Sequence, residues 1–225
     1  NFSYVTDCND LVSKIQGKGL HALLISAPFS DYGCMHPEFN DILNLCAIND
    51  IPVCLDLAYW GISKNVHINL DDHPAIQEVT CSLSKPFYTL ENHRVGIRFT
   101  RQYVDDGVSM LNEVKMANNH SMALGIEYMR NFSPDYNWQK FNSRYQDICQ
   151  EQDLVWTDTV IFGLGDTWVN SNNSCVLISN RAHPIVLVDT SNPKTLGLFC
   201  KVFFAMLEIK FYQELLYTLS YNRRL

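Results

Sequence analysis

The chain has 225 residues, of which 47% are hydrophobic and 12% are aromatic. This composition is typical of a globular protein with an ordinary core, and it excludes extended disorder. The 17 Lys and Arg residues against 24 Asp and Glu residues give a formal net charge of −7. An acidic chain lacks the clustered cations that replace counterions on a nucleic acid, so we expect no nucleic-acid partner.

The cysteines and the apolar runs indicate where such a chain resides. The eight cysteines have irregular spacing, contain no Cys-x-x-Cys pair, and in part lie inside apolar runs such as residues 53–55. Reduced, buried thiols of this kind indicate the cytoplasm. No metal is expected, because neither the cysteine nor the histidine spacing fits a zinc site. The apolar stretch 196–209 is short and contains Lys201 and Glu208, so no membrane span is expected.

The first hundred residues alternate between helical patterns and short apolar strands. The patterns predict helices over residues 10–16 and 37–48, and strands over residues 21–26, 52–57 and 78–82. These strands are apolar along most of their length rather than alternating, which is typical of a parallel sheet with helices on both faces. We therefore predict an α/β domain over residues 1–101.

The pattern changes after Arg101. Helices are predicted over residues 104–118, 121–131 and 134–150, and short strands over residues 155–157, 160–162 and 175–179. Residues 102–181 are therefore predicted to form a smaller α+β domain. The remaining residues, 182–225, are predicted to be a C-terminal extension. It contains an apolar helix over residues 196–219 that needs a surface to pack against.

Three charged residues occupy positions that suggest a ligand. Asp56 ends an apolar strand, and ligands of open α/β sheets bind at the carboxyl ends of the strands. Lys85 follows the next strand, among apolar residues, where a lysine loses its proton more readily and can attack an aldehyde. Arg94 carries a guanidinium that can pair with a phosphate. The plainer alternatives are a turn aspartate, a solvated lysine, and an ion pair of Arg94 with Glu91.

These charged residues lie in motifs that follow one another along the sheet. The motifs are residues 56–59 (Asp-Leu-Ala-Tyr), 82–85 (Ser-Leu-Ser-Lys) and 94–96 (Arg-Val-Gly). Residues 26–33 precede them and are similar to an Asn-Pro-x-x-Pro-x-Gly turn. In this order the motifs resemble the signature of the class I/II aminotransferases of fold-type I, which depend on pyridoxal phosphate. The resemblance covers about residues 10–180.

The resemblance implies a role for each residue that matches. Lys85 would form a Schiff base with pyridoxal phosphate and then move protons at the α-carbon of the substrate. Asp56 would pair with the protonated pyridine nitrogen, and Tyr59 would donate its hydroxyl to the phenolate oxygen. The phosphate would be held by Ser82, Ser84 and Arg94.

Two further positions are implied less directly. Ser30 stands where the family usually has an asparagine that contacts the phenolate oxygen, and a serine would donate from a shorter reach. Arg181 is a displaced candidate for the arginine that binds the substrate carboxylate. The substrates implied by the resemblance are an amino acid and a 2-oxo acid. A homodimer, or a complementing chain, is implied as the partner.

The resemblance covers only part of the architecture of these enzymes. It corresponds to the C-terminal part of the large, mostly parallel domain and to the small domain, as in a fragment, a truncated paralogue or one chain of a split protein. The expected function is amino-group transfer on an amino acid through pyridoxal phosphate. The alternatives are a pyridoxal-phosphate-dependent lyase or decarboxylase on the same scaffold, and a non-catalytic relic or interaction domain.

Overall fold

The computed structural model describes residues 2–16, 19, 21–29, 33–64, 66–87, 93–161, 163–164 and 185–189. Within these residues the strands form one sheet. They are β1 (Phe2–Val5), β2 (His21–Ser26), β3 (Val53–Leu57), β4 (Ile76–Ser82), β5 (Gly96–Thr100) and β6 (Ile185–Asp189). The α-helices are α1 (Cys8–Ile15), α2 (Phe39–Ile48), α3 (Gly107–Glu113), α4 (Asn119–Asn131) and α5 (Tyr136–Glu151).

The sheet is mixed, with a parallel centre. Its strand order is β1–β6–β2–β3–β4–β5. β2, β3 and β4 are parallel to one another, β5 is antiparallel to β4, and β6 is antiparallel to both β1 and β2. β1 therefore has the same direction as the three central strands. The prediction of an α/β fold is confirmed at this level, and four of the six strands run in the same direction, although three of the five strand pairs are antiparallel.

The elements predicted for the first hundred residues are confirmed. β2 has the predicted bounds, and α1, α2, β3 and β4 each overlap their predicted ranges. Local chemistry explains one of the boundaries, because the Asp7 side chain accepts a hydrogen bond from Asp10 N and so caps α1. Strands and helices alternate here as a parallel sheet requires, because each crossover needs a connection of a dozen residues or more.

The two faces of the sheet differ in polarity. Leu23, Ile25 and Leu55 point to one face, where they form the core with Leu11 of α1 and Ile42 of α2. Side chains alternate along a strand, so the opposite face of the sheet carries polar residues of β2, β3, β4 and β5. They are Ser26, Asp56, Glu78, Thr80 and Arg98. The expected cover of helices on both faces is therefore modified, since α1 and α2 both pack on the apolar face.

The helix predicted over residues 104–118 is wrong at both ends. α3 begins after Asp106, whose carboxylate accepts hydrogen bonds from Val108 N and Ser109 N. It ends before Lys115, which has a positive φ of 57° and so cannot continue a helix. Two capping signals therefore shorten a segment whose apolar pattern alone predicted a longer helix. α4 and α5 agree with their predictions within two residues.

The strands predicted at residues 155–157 and 160–162 are wrong. The described residues there form only two isolated bridges, Ser63 with Thr159 and Val155 with Leu164. Backbone bonds tie this segment to the first hundred residues, because Asp158 N donates to Gly33 O and Val160 N donates to Ile62 O. Position 162, the strand predicted over residues 175–179 and the helix predicted over residues 196–219 lie outside the described residues.

β6 was missed by the sequence analysis. It lies within the predicted C-terminal extension, yet it occupies a position inside the sheet, between β1 and β2. The run Ile-Val-Leu-Val at residues 185–188 carries the signal, because β-branched and apolar residues favour strands. The domain boundaries proposed at residues 101 and 181 remain predictions. None of the helices in the described ranges has the length and apolar character needed to cross a bilayer.

Candidate functional site

Asp56 lies at the carboxyl end of β3, in the middle of a polar row across three parallel strands. Ser26 of β2 and Thr80 of β4 are its direct neighbours in the sheet register. The carboxylate accepts hydrogen bonds from Ala58 N at 3.0 Å, from Thr80 Oγ1 at 3.4 Å and from Ser26 Oγ at 3.5 Å. The two hydroxyl bonds are long compared with the usual 2.7–2.8 Å, so they hold the carboxylate without fully replacing water.

Burial dominates the electrostatics of this carboxylate. Loss of water raises the pKa of Asp56 above its ordinary value. The nearby charge of Lys85 and the three hydrogen bonds act in the opposite direction, but they compensate only in part. A cation placed against Asp56 would favour its charged form and would relieve this penalty. The end of β3 is therefore suited to a positively charged ligand atom.

Lys85 and Tyr59 lie together beside Asp56. The Lys85 ammonium is 4.2 Å from the centroid of the Tyr59 ring, which is cation–π geometry. Lys85 itself is exposed, whereas Leu83, Ser84 and Pro86 around it are buried. The apolar pocket expected around this lysine is therefore not formed by the described residues. The structure does bring together three of the residues that the motifs predicted, Asp56 from β3 and Tyr59 and Lys85 from the turns after β3 and β4.

The predicted phosphate-binding residues follow in the next turn. Ser82 ends β4 opposite Gly96, and Arg94 lies two residues before β5 with a positive φ of 46°. The buried Ser84 hydroxyl donates to Val95 O at 3.3 Å and accepts from Val95 N at 3.2 Å. A phosphate would have to replace these backbone bonds to use Ser84. The structure therefore shows a structural role for this serine that the sequence analysis did not foresee.

The glycine of the Arg-Val-Gly motif has a steric reason. A Cβ at Gly96 would lie 2.8 Å from the carbonyl oxygen of Cys81, which is closer than a side chain tolerates. Only glycine lets β5 begin this close to β4. The bonds between Ser84 and Val95 then bring position 94 next to the turn that carries Lys85.

Ser30 and Arg181 lie outside the described residues, so their predicted roles remain predictions. The described residues before and after position 30 are held by the backbone. Ala27 N donates to Asp56 O at 2.9 Å, and Gly33 N donates to Phe29 O at 2.7 Å. A backbone hydrogen bond therefore joins the start of the turn that resembles the family motif to Asp56 of β3.

Two partners of Asp56, Ser26 and Thr80, were missed as site residues. Their signal is the strand register, because each lies on the same face and in the same row as the carboxylate. The alternation along β4 already groups Thr80 with Ser82. The pairing of β4 with β3, however, contains a register shift between Val53 and Cys54. The row could not be deduced from the sequence without knowledge of that shift.

A second polar cluster on this face is structural. Arg98 of β5 makes two bonds to the Asp106 carboxylate, at 2.5 and 3.1 Å, and lies 3.9 Å from Glu78. Hydrogen bonding to Arg98 lowers the pKa of Asp106 to about 2. Unlike Asp56, this carboxylate is fully compensated by a bidentate partner. It anchors the start of α3 on the sheet.

An apolar cleft lies on the opposite face of the sheet from Asp56. It has a volume of about 750 Å³ and is lined mainly by apolar side chains, among them Leu57, Val79, Cys81 and Phe99. These residues alternate with Asp56 and Thr80 along their strands, so the sheet itself separates the cleft from the carboxylate. The cleft is therefore not part of the site at the end of β3.

Comparisons with known proteins give a limited result. No protein-family model matches the sequence, and no curated protein matches it. Among solved structures, the chain is similar to the PLP-bound C-S lyase from Staphylococcus hominis, with a TM-score of 0.47 and 13% sequence identity. The match covers 91% of this chain and 62% of the lyase. The chain therefore spans less than two thirds of the length of that protein.

We predict that Asp56→Asn stabilises the protein without ligand at pH 7.5, by about 1 kcal/mol, because it removes a poorly compensated, half-buried charge. The pKa of Asp56 is raised in the folded protein, so the free-energy cost of its charge is fully present above that pKa. It disappears as the pH falls below the ordinary value of 3.8. The gain should therefore shrink between pH 7.5 and pH 4. Urea unfolding at both pH values measures it.

Asp106→Asn is the matched control, with the opposite sign. The folded pKa of Asp106 is about 2, so its contribution is present above 3.8 and is lost as the pH falls toward 2. The substitution should destabilise the protein by about 1–2 kcal/mol at pH 7.5. If Asp56→Asn destabilises the protein as much as Asp106→Asn does, the Asp56 carboxylate is already compensated and our interpretation of the site is wrong.

Proposed function

We propose that this chain binds pyridoxal phosphate at the carboxyl end of β3 and acts on the amino group of an amino acid. One observation carries the proposal. A half-buried carboxylate with an upward-shifted pKa, Asp56, lies at the end of a central parallel strand and has an aromatic ring and a lysine beside it. This is the arrangement that a cationic ring nitrogen and an aldehyde on one ligand would use.

The residues present fit the chemical groups of this cofactor. The protonated pyridine nitrogen would pair with Asp56 and compensate its buried charge. The aldehyde would meet the Lys85 amine, and the phosphate would meet Arg94, whose guanidinium can form two parallel bonds to it. Asp56 lies near the end of β3, and Lys85 and Arg94 both lie in the connection between β4 and β5. When bound, pyridoxal phosphate supplies an electron sink for negative charge at the substrate α-carbon.

The protein would contribute orientation and proton transfer. Ala58 N, Ser26 Oγ and Thr80 Oγ1 hold the Asp56 carboxylate in one orientation. The Tyr59 ring limits where the Lys85 amine can lie, and its hydroxyl would bond the phenolate oxygen. Lys85 in its neutral form would take and return the proton at the α-carbon. Because it is exposed in the described residues, Lys85 needs the ligand to exclude water around it.

The proposal also specifies the type of reaction. Amino-group transfer between an amino acid and a 2-oxo acid is the branch that the motif resemblance implies. Elimination and decarboxylation share the same first steps, and the Staphylococcus hominis protein is a C-S lyase. A domain that binds the cofactor without turnover is a further outcome. The assay below separates these outcomes.

Lys85 should be the residue that reacts with pyridoxal phosphate. We expect borohydride reduction of the full chain in the presence of the cofactor, followed by peptide mass mapping, to label Lys85. The label should vanish in Lys85→Ala. It should persist in Lys64→Ala, because Lys64 lies 3.9 Å from Asp158 and over the Trp138 ring. Label scattered over Lys64, Lys115 and Lys140 would mean surface chemistry only and would contradict the proposal.

The reaction branch should be visible in the products. After incubation of the cofactor-loaded chain with a mixture of amino acids, we expect 2-oxo acids together with pyridoxamine phosphate. Asp56→Ala should slow exchange of the α-proton with deuterated solvent by about 100-fold, since it removes the charge that stabilises the ring cation. Ammonia without pyridoxamine phosphate would indicate a lyase, and carbon dioxide a decarboxylase. No product despite specific labelling of Lys85 would indicate a non-catalytic domain.

We also propose that two copies of the chain associate. Met122, Ile126 and Met129 are exposed and lie on one face of α4, at helical spacing. Met110 and Val114, at α3 and directly after it, are exposed as well. Apolar side chains grouped in this way mark interaction surfaces, and the resemblance implies a dimer. The tail helix that first suggested association lies outside the described residues.

Sedimentation should test this association. We expect the wild-type chain to sediment as a dimer, and the double variant Met122→Glu, Ile126→Glu to shift toward the monomer, because it places charge in the apolar face. Glu127→Lys is the control, since it changes charge on the same helix without removing apolar surface. A wild-type monomer at all concentrations tested would refute the proposal.

A further inference from the structure

The two key side chains of the site are carried by loops, not by strands. Tyr59 lies in the turn that leads from β3 into a short 3-10 helix, Trp60–Ile62. Lys85 lies in the turn that follows β4, directly before Pro86. The hydrogen-bond ladder between β3 and β4 ends at Leu57 and Cys81, so it does not reach either side chain. Another interaction has to set their relative position.

Besides the contact of Lys85 with the Tyr59 ring, the two loops approach each other unusually closely at Gly61 and Pro86. A Cβ at Gly61 would lie 2.7 Å from Cβ of Pro86, well inside any normal contact. Glycine at position 61 is therefore required for the approach of the two loops. The contact lies two residues after Tyr59 and one residue after Lys85. Apolar contact alone does not fix the orientation of the backbone there, and two carbonyl groups remain to be satisfied.

Asn137 of α5 satisfies both carbonyls. Its side-chain nitrogen donates to Gly61 O at 2.8 Å and to Pro86 O at 2.7 Å, and the residue is only 5% exposed. A primary amide nitrogen carries two hydrogens, so each bond uses one of them. An aspartate would face two carbonyl oxygens with a charge, and a leucine would leave both oxygens buried and unpaired. Asparagine is the residue of this size that meets the requirement.

The helix that carries Asn137 is itself anchored to the first hundred residues. Tyr145, two turns further along α5, accepts a hydrogen bond from Thr157 N at 2.6 Å, and Thr159 in that segment bridges to Ser63. Lys64 lies over the Trp138 ring at 4.7 Å. The amide is therefore presented from a fixed surface. A displacement of α5 would move both loops together.

We infer that Asn137 is a positioning residue, which holds the loop of Lys85 against the loop of Tyr59 and so sets the reactivity of the Lys85 amine toward an aldehyde. The inference rests on the proposed function only for the identity of the aldehyde. The joining of the two loops by Asn137 is independent of that function. Asn137 does not touch the ligand site itself, and it acts through the backbone carbonyls on either side of the Tyr59–Lys85 contact.

The test compares Asn137→Leu with Asn142→Leu in the full chain. Asn142 is an asparagine of the same helix, and its amide donates to Trp138 O within that helix at 2.8 Å. We expect Asn137→Leu to slow the labelling of Lys85 by pyridoxal phosphate and borohydride by about tenfold or more, because a small misplacement of a reacting group is costly. The pH at which labelling reaches half its maximum should also change. Asn142→Leu should react like the wild type, and Asn137→Gln should recover part of the rate.

Hydrogen exchange provides a readout that needs no cofactor. Backbone amides of residues 58–64 and 83–87 should exchange faster in Asn137→Leu, and those of β2 should not. Unchanged exchange in both loops overturns the inference, whatever the labelling shows. If wild-type labelling is not at Lys85 while exchange in the loops increases, the proposed function fails and the joining of the loops stands.

Folding is controlled with a milder variant. Asn137→Ser keeps one donor and leaves room for a water molecule at the second carbonyl. If Asn137→Leu loses the native circular dichroism spectrum, the same comparisons are made with Asn137→Ser, and a smaller effect in the same direction is expected. If neither variant folds, Asn137 is required for the fold as a whole, and the inference of a positioning role is overturned.

Discussion

The burial of one carboxylate at the end of β3 is the constraint around which this site is arranged. Desolvation raises the pKa of Asp56, and the hydroxyls of Ser26 and Thr80 accommodate its charge only in part. The contrast with Asp106 is informative, because that carboxylate has a bidentate arginine and a pKa lowered to about 2. Both carboxylates face the same side of the sheet. One is compensated within the chain, and the other is compensated best by a cation from outside.

The division of the sheet into two faces follows from the same strands. Leu55 and Asp56 are neighbours in sequence, and strand geometry directs one side chain into the core and the other into the polar row. The core formed with α1 and α2 stabilises the position of β3 between two parallel neighbours. The apolar core on the opposite face stabilises the fold. This stability offsets the cost of keeping the partly desolvated Asp56 carboxylate at the end of the strand.

Local signals account for what the sequence predicted correctly, and long-range contacts account for what it did not. β2 and α2 follow from an apolar run and from helical periodicity, which are visible in a short window. The early end of α3 depends on a single residue with positive φ, Lys115, which no propensity indicates strongly. The order of the motifs that contain Asp56, Lys85 and Arg94 predicted that they follow one another along the sheet. The exposure of Lys85 and the backbone bonds of Ser84 depend on how the turns pack, which the motif does not contain.

Asn137 shows why the remaining part of the site could not be deduced from the motifs. It is separated by 76 residues from Gly61 and by 51 residues from Pro86, and in sequence it is one polar residue of an amphipathic helix. Asn137 is important because it donates to the carbonyls of Gly61 and Pro86. These two carbonyls come close together only after β3 and β4 have paired and the loops that follow them have met. A segment predicted to be a separate domain therefore contributes an interaction at the centre of the site. The carbonyls of Gly61 and Pro86 are bonded by a side chain of α5, so an element distant in sequence joins the loops that carry Tyr59 and Lys85.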